Sequence, residues 1–166
     1  VGAGSSQKTW TATNWNDYVD KLNTFQNTGI VVFALSNDSN SDDADISAGL
    51  PELFSELQEA WINTVNIEQT GSTGATWTLQ SSPCGSTAKY CLGADGTNIT
   101  GLAHTSGGAD YYIGNTTGSS FAAPQVTAAV ALLAEAFPNM TPAQWTDRLL
   151  ASANNTDAGM GSHDNY

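Results

Sequence analysis

Residues 114–137 read GNTTGSSFAAPQVTAAVALLAEAF, in which a turn of glycine and hydroxyl residues runs directly into an apolar helix. Pro124 fits a helix only in its first turn, where backbone amides have no intrahelical partner, so we expect the helix to begin near Ser120. Residues 121–137 follow the 3.6-residue period and are apolar almost all round, which is typical of a buried helix. The Ser120 hydroxyl would then lie at the positive end of the helix dipole, among free backbone amides.

The same turn also has a purely structural interpretation. Ser119 or Ser120 could simply cap a core helix, and Gly118 would supply a permissive backbone in either case. The turn taken alone therefore leaves a capping serine and a catalytic serine both open.

The rest of the chain alternates between helical and strand patterns. The predicted elements are, in order, a helix over 13–26, a strand over 30–35, a short amphipathic helix over 50–61, a strand over 62–69, extended segments around the two cysteines, and a helix from Pro142 capped by Thr141. The strand IVVFAL at 30–35 has no polar interruption, as expected of a strand buried on both faces of a parallel sheet. The alternation is typical of an α/β domain with a mostly parallel sheet.

Composition limits the classes of partner. The chain has 166 residues, enough for about one domain, and 16 acidic against 4 basic residues give a net charge of −12. This charge would oppose encounter with nucleic acid or an anionic membrane. No apolar run is long enough to span a bilayer, so we expect no direct membrane insertion by this segment. The low charged fraction of 12% suits a secreted, loop-rich protein.

Cys84 and Cys91 are close enough in sequence to form a disulfide across one short loop. A disulfide would place the protein outside the cytosol. A pair of reduced, buried thiols is the alternative, whereas a metal site would have only half of its ligands.

The stretch GSSFAAPQV at 118–126 resembles the nucleophile motif of the subtilisin-like serine proteases, the subtilases, which reads Gly-Thr-Ser-Met-Ala-Ala-Pro-His-Val. The resemblance implies that Ser120 is the catalytic nucleophile and that Gly118 contacts substrate. Ser119 in place of Thr, Phe121 in place of Met and Gln125 in place of His depart from the motif.

A second stretch, IVVFALSNDS at 30–39, is similar to the family's buried strand that ends in Ala-Ala-Gly-Asn-Asp or Glu. By this resemblance the Asn37 side-chain amide donates to the oxyanion, and Ala34, Leu35 and Ser36 help to line the primary specificity pocket. Ser36 stands where the family usually has Gly, and its side chain would narrow or reshape that pocket. Asn-Asp-Ser after a strand is also ordinary turn chemistry.

At lower specificity, residues 49–68 and the cysteine loop with YCLGADGTNIT at 90–100 look like the autotransporter-type subtilases of Gram-negative bacteria. The resemblance implies a subtilisin-like three-layer α/β fold, with residues 1–166 as the C-terminal part of a single catalytic domain truncated at both ends. It also implies a bacterial, secreted or cell-surface serine endopeptidase that acts on protein or peptide substrates through an acyl-enzyme on Ser120.

A subtilase also needs an Asp and a His in motifs that precede the Asn strand, because an oriented imidazole must deprotonate the serine. Neither motif is present in this chain. His104 and His163 lack the expected order and neighbours, and we interpret both as structural or surface residues. The partners are therefore expected on an upstream half of the same domain, and this chain alone is expected to be inactive.

Two other functions and one ligand remain open. An inactive subtilase-like scaffold for binding or assembly would also lack the two motifs. An α/β-hydrolase esterase with an elbow at 118–122 explains Ser120 but neither Pro124 nor Asn37. No cofactor or metal site is predicted: some subtilases bind Ca²⁺, and the acidic loop 38–45 offers oxygen atoms, but it lacks the ordered Gly and terminal Glu of an EF-hand.

Overall fold

The computed structural model describes residues 10–70, 76–104 and 111–153. The helices and strands, numbered in chain order, are α1 (Ala12–Gln26), β1 (Val31–Ala34), α2 (Leu50–Leu53), β2 (Trp61–Thr70), β3 (Thr76–Leu79), β4 (Cys91–Ala94), β5 (Ile99–His104), β6 (Tyr111–Thr116), α3 (Ser119–Ala136) and α4 (Pro142–Ser152). Two 3₁₀ helices, Ser55–Leu57 and Gly85–Tyr90, precede β2 and β4. The order confirms the predicted α/β class.

Strand β2 is the centre of the sheet. β1 and β4 both pair with it in parallel, with Ala34 opposite Thr64 and Ala94 opposite Asn66. β3 pairs antiparallel with the end of β2, and β5 and β6 form a separate antiparallel hairpin. Because β1 and β4 run in the same direction, their carboxyl ends emerge at the same edge of the sheet.

The core lies along β2, whose residues 61–67 are all buried. A buried, mostly apolar central strand is the usual consequence of parallel pairing on both sides. Buried residues on this strand and its neighbours form two clusters, one of Leu35, Ala48, Val65, Ile67, Cys84 and Cys91, the other of Val19, Leu50, Leu57, Trp61 and Tyr90. The second cluster attaches α1 to the sheet through Val19.

The predicted disulfide between Cys84 and Cys91 is confirmed. Both half-cystines are buried in the cluster that contains Leu35 and Val65. The bridge therefore fixes the start of β4 to the core beside β1.

Two carboxylates hold the cysteine loop from outside. Partial burial acts to raise the pKa of Asp43, but hydrogen bonds led by the Ser86 backbone N–H outweigh it and lower that pKa. Hydrogen bonds from the Tyr90 hydroxyl and from Lys89 lower the pKa of Glu52. Burial, and then the bond to Glu52, raise the pKa of Tyr90. These groups stabilise the loop and lie outside the site described below.

The single amphipathic helix predicted over 50–61 is wrong. α2 ends at Leu53, Phe54 is extended, and a 3₁₀ helix follows before β2 begins at Trp61. Trp61 pairs with Val31 of β1 and is fully buried, so tertiary pairing overrides the local helical period.

Helix α3 begins at Ser119, close to the predicted start, but it differs from the prediction in burial. Its buried residues are Ser119, Ala122 and Val126, all in its first half, whereas Leu132 is 68% exposed. Within the described part of the chain, α3 packs chiefly on β1, β2, β4 and α4. Its remaining apolar surface is open because no other described element covers it.

Among the described residues, no helix combines the length and the apolar character needed to cross a membrane.

Replacing both cysteines, as Cys84→Ala with Cys91→Ala, should lower the free energy of unfolding by about 2–3 kcal/mol, because the bridge restricts the unfolded chain. Urea unfolding followed by circular dichroism measures this difference. Reductant should lower the midpoint of the parent to that of the double variant and leave the variant unchanged. Equal midpoints for oxidised parent and variant would show that the bridge adds nothing.

Candidate active site

The carboxyl ends of β1 and β4 meet the amino-terminal turn of α3. The Ser119 N–H donates to Asn37 Oδ1 at 2.9 Å, which joins the turn to the segment that follows β1. The Gly118 N–H donates to the Gly96 carbonyl at 3.0 Å, which joins it to the segment that follows β4. Two strands therefore fix the position of residues 118–120.

The orientation of the Asn37 amide follows from its partners. A backbone N–H can only donate, so the Asn37 atom that faces Ser119 N–H must be the oxygen. The Ser119 hydroxyl lies 3.1 Å from the same oxygen and also donates to the Leu35 carbonyl. The Asn37 nitrogen has no hydrogen-bond partner among the described residues, and Asn37 is exposed. A side-chain N–H donor is thus available beside the turn.

Two glycines allow this close packing. A Cβ on Gly118 would lie 3.3 Å from both the oxygen and the nitrogen of the Asn37 amide. A Cβ on Gly96 would lie 2.4 Å from the Gly118 carbonyl oxygen and 2.9 Å from the Ala122 nitrogen, which leaves no room for a side chain. Backbone and amide can approach the start of α3 only because both side chains are absent.

The two serines of the turn occupy different environments. Ser119 is 1% exposed, and its hydroxyl is bonded as described above. Ser120 is exposed, and its hydroxyl has no partner among the described residues. The N-cap of α3 is Gly118, with no side-chain cap bond, so the capping interpretation of either serine is wrong. Ser120 therefore presents a free hydroxyl within the first helical turn.

The predicted pocket residues differ in burial. Leu35 is 2% exposed, and its side chain packs in the core with Val65 and the cystine. Ala34 and Ser36 are half-buried and Gly118 is buried. Substrate binding by these four residues stays a prediction.

The structure describes neither histidine side chain. His104 belongs to β5, where only its strand position is described, and His163 lies outside the described residues. The structure therefore assigns no role to either histidine.

Three carboxylates of the acidic loop already have hydrogen-bond partners. Within the described ranges, no group of three or more His, Cys, Asp or Glu side chains could hold a metal. The carboxylates of Asp38, Asp43 and Asp45 instead accept backbone N–H groups of Asn40, Ser86 and Ser47. Local turns account for the carboxylates of Asp38 and Asp45, and the Asp43 carboxylate binds the cysteine loop.

Sequence reasoning missed three contributors behind the turn. Asn66 Oδ1 accepts the Gly96 N–H at 2.7 Å, and the Gln125 side chain donates to the carbonyls of Asp95 and Phe121. Asn66 could have been recognised as a polar residue within the predicted strand INTVNIEQ. That strand was predicted from its apolar residues. Ser119 was considered only as a helix cap or as a departure from the motif, although it orients Asn37.

The sequence pattern of the Subtilase family matches residues 2–166. The chain belongs to the subtilase family. This subtilase is 32% identical over 138 residues to "Serotype-specific antigen 1" of Mannheimia haemolytica, and 29% identical over 153 residues to "Extracellular serine protease" of Serratia marcescens. Each match covers 82% of this chain and 14% of the relative, so the chain spans a small part of their length.

Solved structures show that the fold is subtilisin-like. The "Prenylagaramide maturation protease PagA" superposes with a TM-score of 0.59 at 19% identity, over 93% of this chain and 52% of that one. Sphericase superposes with a TM-score of 0.59 at 18% identity, over 87% of this chain and 45% of its own. At these identities the likeness concerns the fold alone.

Replacing the buried serine should cost far more stability than replacing the exposed one. Ser119→Ala removes the hydroxyl that donates to the buried Leu35 carbonyl and should lower the free energy of unfolding by about 1–3 kcal/mol. Ser120→Ala, its matched control, should change it by less than about 0.5 kcal/mol. Urea unfolding measures both. Equal losses for the two variants would contradict the hydrogen bonding described for Ser119.

Proposed function

We propose that this subtilase is part of a serine endopeptidase in which Ser120 is the nucleophile and Asn37 donates to the oxyanion. One observation carries the proposal: Ser119 holds the oxygen of the Asn37 amide, which leaves the amide nitrogen without a partner among the described residues, beside the turn that presents the exposed Ser120. A capping serine would need neither an exposed hydroxyl nor a neighbouring amide donor.

The chemistry follows from these positions. The Ser120 oxygen adds to the carbonyl carbon of a peptide bond while its proton passes to a base, and the carbonyl oxygen becomes negatively charged. The Asn37 side-chain amide and the Ser120 backbone N–H donate to that oxygen, and the positive end of the α3 dipole lies beside them. The C–N bond then breaks, the amine leaves with the proton, and water hydrolyses the acyl-enzyme.

The base and its orienting carboxylate are proposed to lie on an upstream half of the same catalytic domain, so this chain alone is inactive. Open surfaces support a partner of that size. β1 pairs with β2 alone among the described strands, and the apolar Leu132 of α3 is largely exposed. The chain also spans about half of its structural neighbours.

The proposed substrates are proteins or peptides, and the proposed location is secreted or at the cell surface. The disulfide supports an oxidising compartment. The printed names of the two relatives, an extracellular serine protease and a serotype-specific antigen, support the same location. The strong negative charge argues against nucleic acid as a partner.

A fluorophosphonate should label Ser120 when the protein carries its upstream half, because a deprotonated serine attacks the phosphorus atom. Mass spectrometry of the labelled peptide locates the site. Ser120→Ala should abolish labelling and peptidase activity, whereas Ser119→Ala retains the nucleophile and should still be labelled. Labelling at another residue, or none, would contradict the proposal, and an absence of labelling would favour the inactive scaffold.

Removing the Asn37 amide should slow the chemical step. Asn37→Ala should lower kcat by about 10²–10³ and change KM little, a magnitude known for the oxyanion asparagine of subtilisin. The exposed Asn40 of the same loop provides the matched control, and Asn40→Ala should retain parent kcat. A kcat for Asn37→Ala within a factor of two of the parent would exclude this role.

A further inference from the structure

We propose that Asn66 is a positioning residue. Through Gly96 it fixes residues 118–120, here called the nucleophile turn. The proposal rests on the function proposed above for Ser120 and adds a residue that does not touch substrate.

Asn66 lies in the buried part of β2, opposite Ala94 of β4, and is 0% exposed. Its side-chain oxygen accepts the Gly96 N–H at 2.7 Å and lies 3.5 Å from the Thr97 hydroxyl. The bond joins the central strand to the turn that follows β4. Asn66 therefore fixes the distance between that turn and strand β2.

Gly96 transmits this position to the nucleophile turn. Its carbonyl accepts the Gly118 N–H, and the two backbones are so close that a side chain at Gly96 would collide with the Gly118 carbonyl. Gln125 of α3 holds the carbonyl of the preceding Asp95. Movement of the 95–96 turn must therefore move the start of α3, and Ser120 with it.

The unpaired nitrogen of the Asn66 amide indicates that a contribution to stability does not by itself explain why an asparagine occupies this position. Asn66 Nδ2 is buried and has no hydrogen-bond partner in the described part of the chain. A buried donor without a partner is unfavourable, and an apolar residue of similar volume would avoid that cost. The hydrogen bond from the Gly96 N–H to the Asn66 oxygen holds the turn after β4 in place, and we infer that this role outweighs the cost of the unpaired nitrogen.

Asn63 on the same strand shows the contrast. It is equally buried, but its oxygen accepts the Trp61 indole N–H and its nitrogen donates to the Ala48 carbonyl and the Thr87 hydroxyl. Those partners belong to the core and the cysteine loop and do not include the nucleophile turn. Asn63 is thus a matched control for the loss of a buried asparagine.

The test uses the protein with its upstream half and measures the rate at which a fluorophosphonate modifies Ser120. Asn66→Leu removes the acceptor but keeps the branched shape of the side chain. It should lower the maximal modification rate about tenfold with the half-saturating concentration within about threefold, because the nucleophile is misplaced and not removed. Asn66→Asp keeps an oxygen facing the Gly96 N–H and should remain within about threefold of the parent. Asn63→Leu should retain the parent rate even if its melting temperature falls.

An equal loss of rate in Asn66→Leu and Asn63→Leu, or no loss in Asn66→Leu, would overturn the proposal. Backbone amide hydrogen exchange provides a readout independent of the chemistry: the Gly96 and Gly118 amides should exchange at least tenfold faster in Asn66→Leu and at the parent rate in Asn63→Leu. Unchanged exchange in Asn66→Leu would overturn it as well. If the parent is not modified at Ser120, the proposed function is wrong, and the exchange rates still decide whether Asn66 fixes the turn.

Discussion

The bond from the Ser119 N–H to the Asn37 oxygen is the constraint on which the site depends. It joins the segment after β1 to the first turn of a helix 82 residues later in the chain. Because this bond occupies the oxygen of the amide, the nitrogen is left as a donor beside Gly118. The same contact fixes the start of α3 and orients the Asn37 amide. It also distinguishes Ser119, which holds the amide, from Ser120, whose hydroxyl has no partner among the described residues.

Parallel pairing makes that contact possible. β1 and β4 run alongside β2 in the same direction, so the segments that follow them lie at one edge and reach the start of α3 together. Gly96 has no side chain where it meets the backbone of Gly118, and Gly118 has none where it meets the Asn37 amide, so the turn is held from two sides. Asn66 supports this arrangement from within the sheet through a single hydrogen bond to Gly96.

The sequence was sufficient to predict the features that depend on local pattern. Hydrophobic period and proline position located α1, β1, β2 and the start of α3, and two short motifs indicated that Asn37 and Ser120 belong to one site. Features that depend on tertiary packing could not be predicted from the sequence. The helix predicted over 50–61 is divided because Trp61 pairs in the sheet, and nothing in the spacing shows that Ser119 orients the amide or that Asn66 bonds Gly96.

The central claim is that the Asn37 amide nitrogen and the Ser120 hydroxyl act on the same carbonyl group. A crystal structure of the protein, with its upstream half, after reaction with a peptide boronic acid tests it most directly. The account predicts a bond from boron to the Ser120 oxygen and one boronate oxygen within hydrogen-bond distance of Asn37 Nδ2, with Ser119 still donating to Asn37 Oδ1. Boron bonded to another residue, or an Asn37 amide turned away from the boronate oxygen, would contradict it.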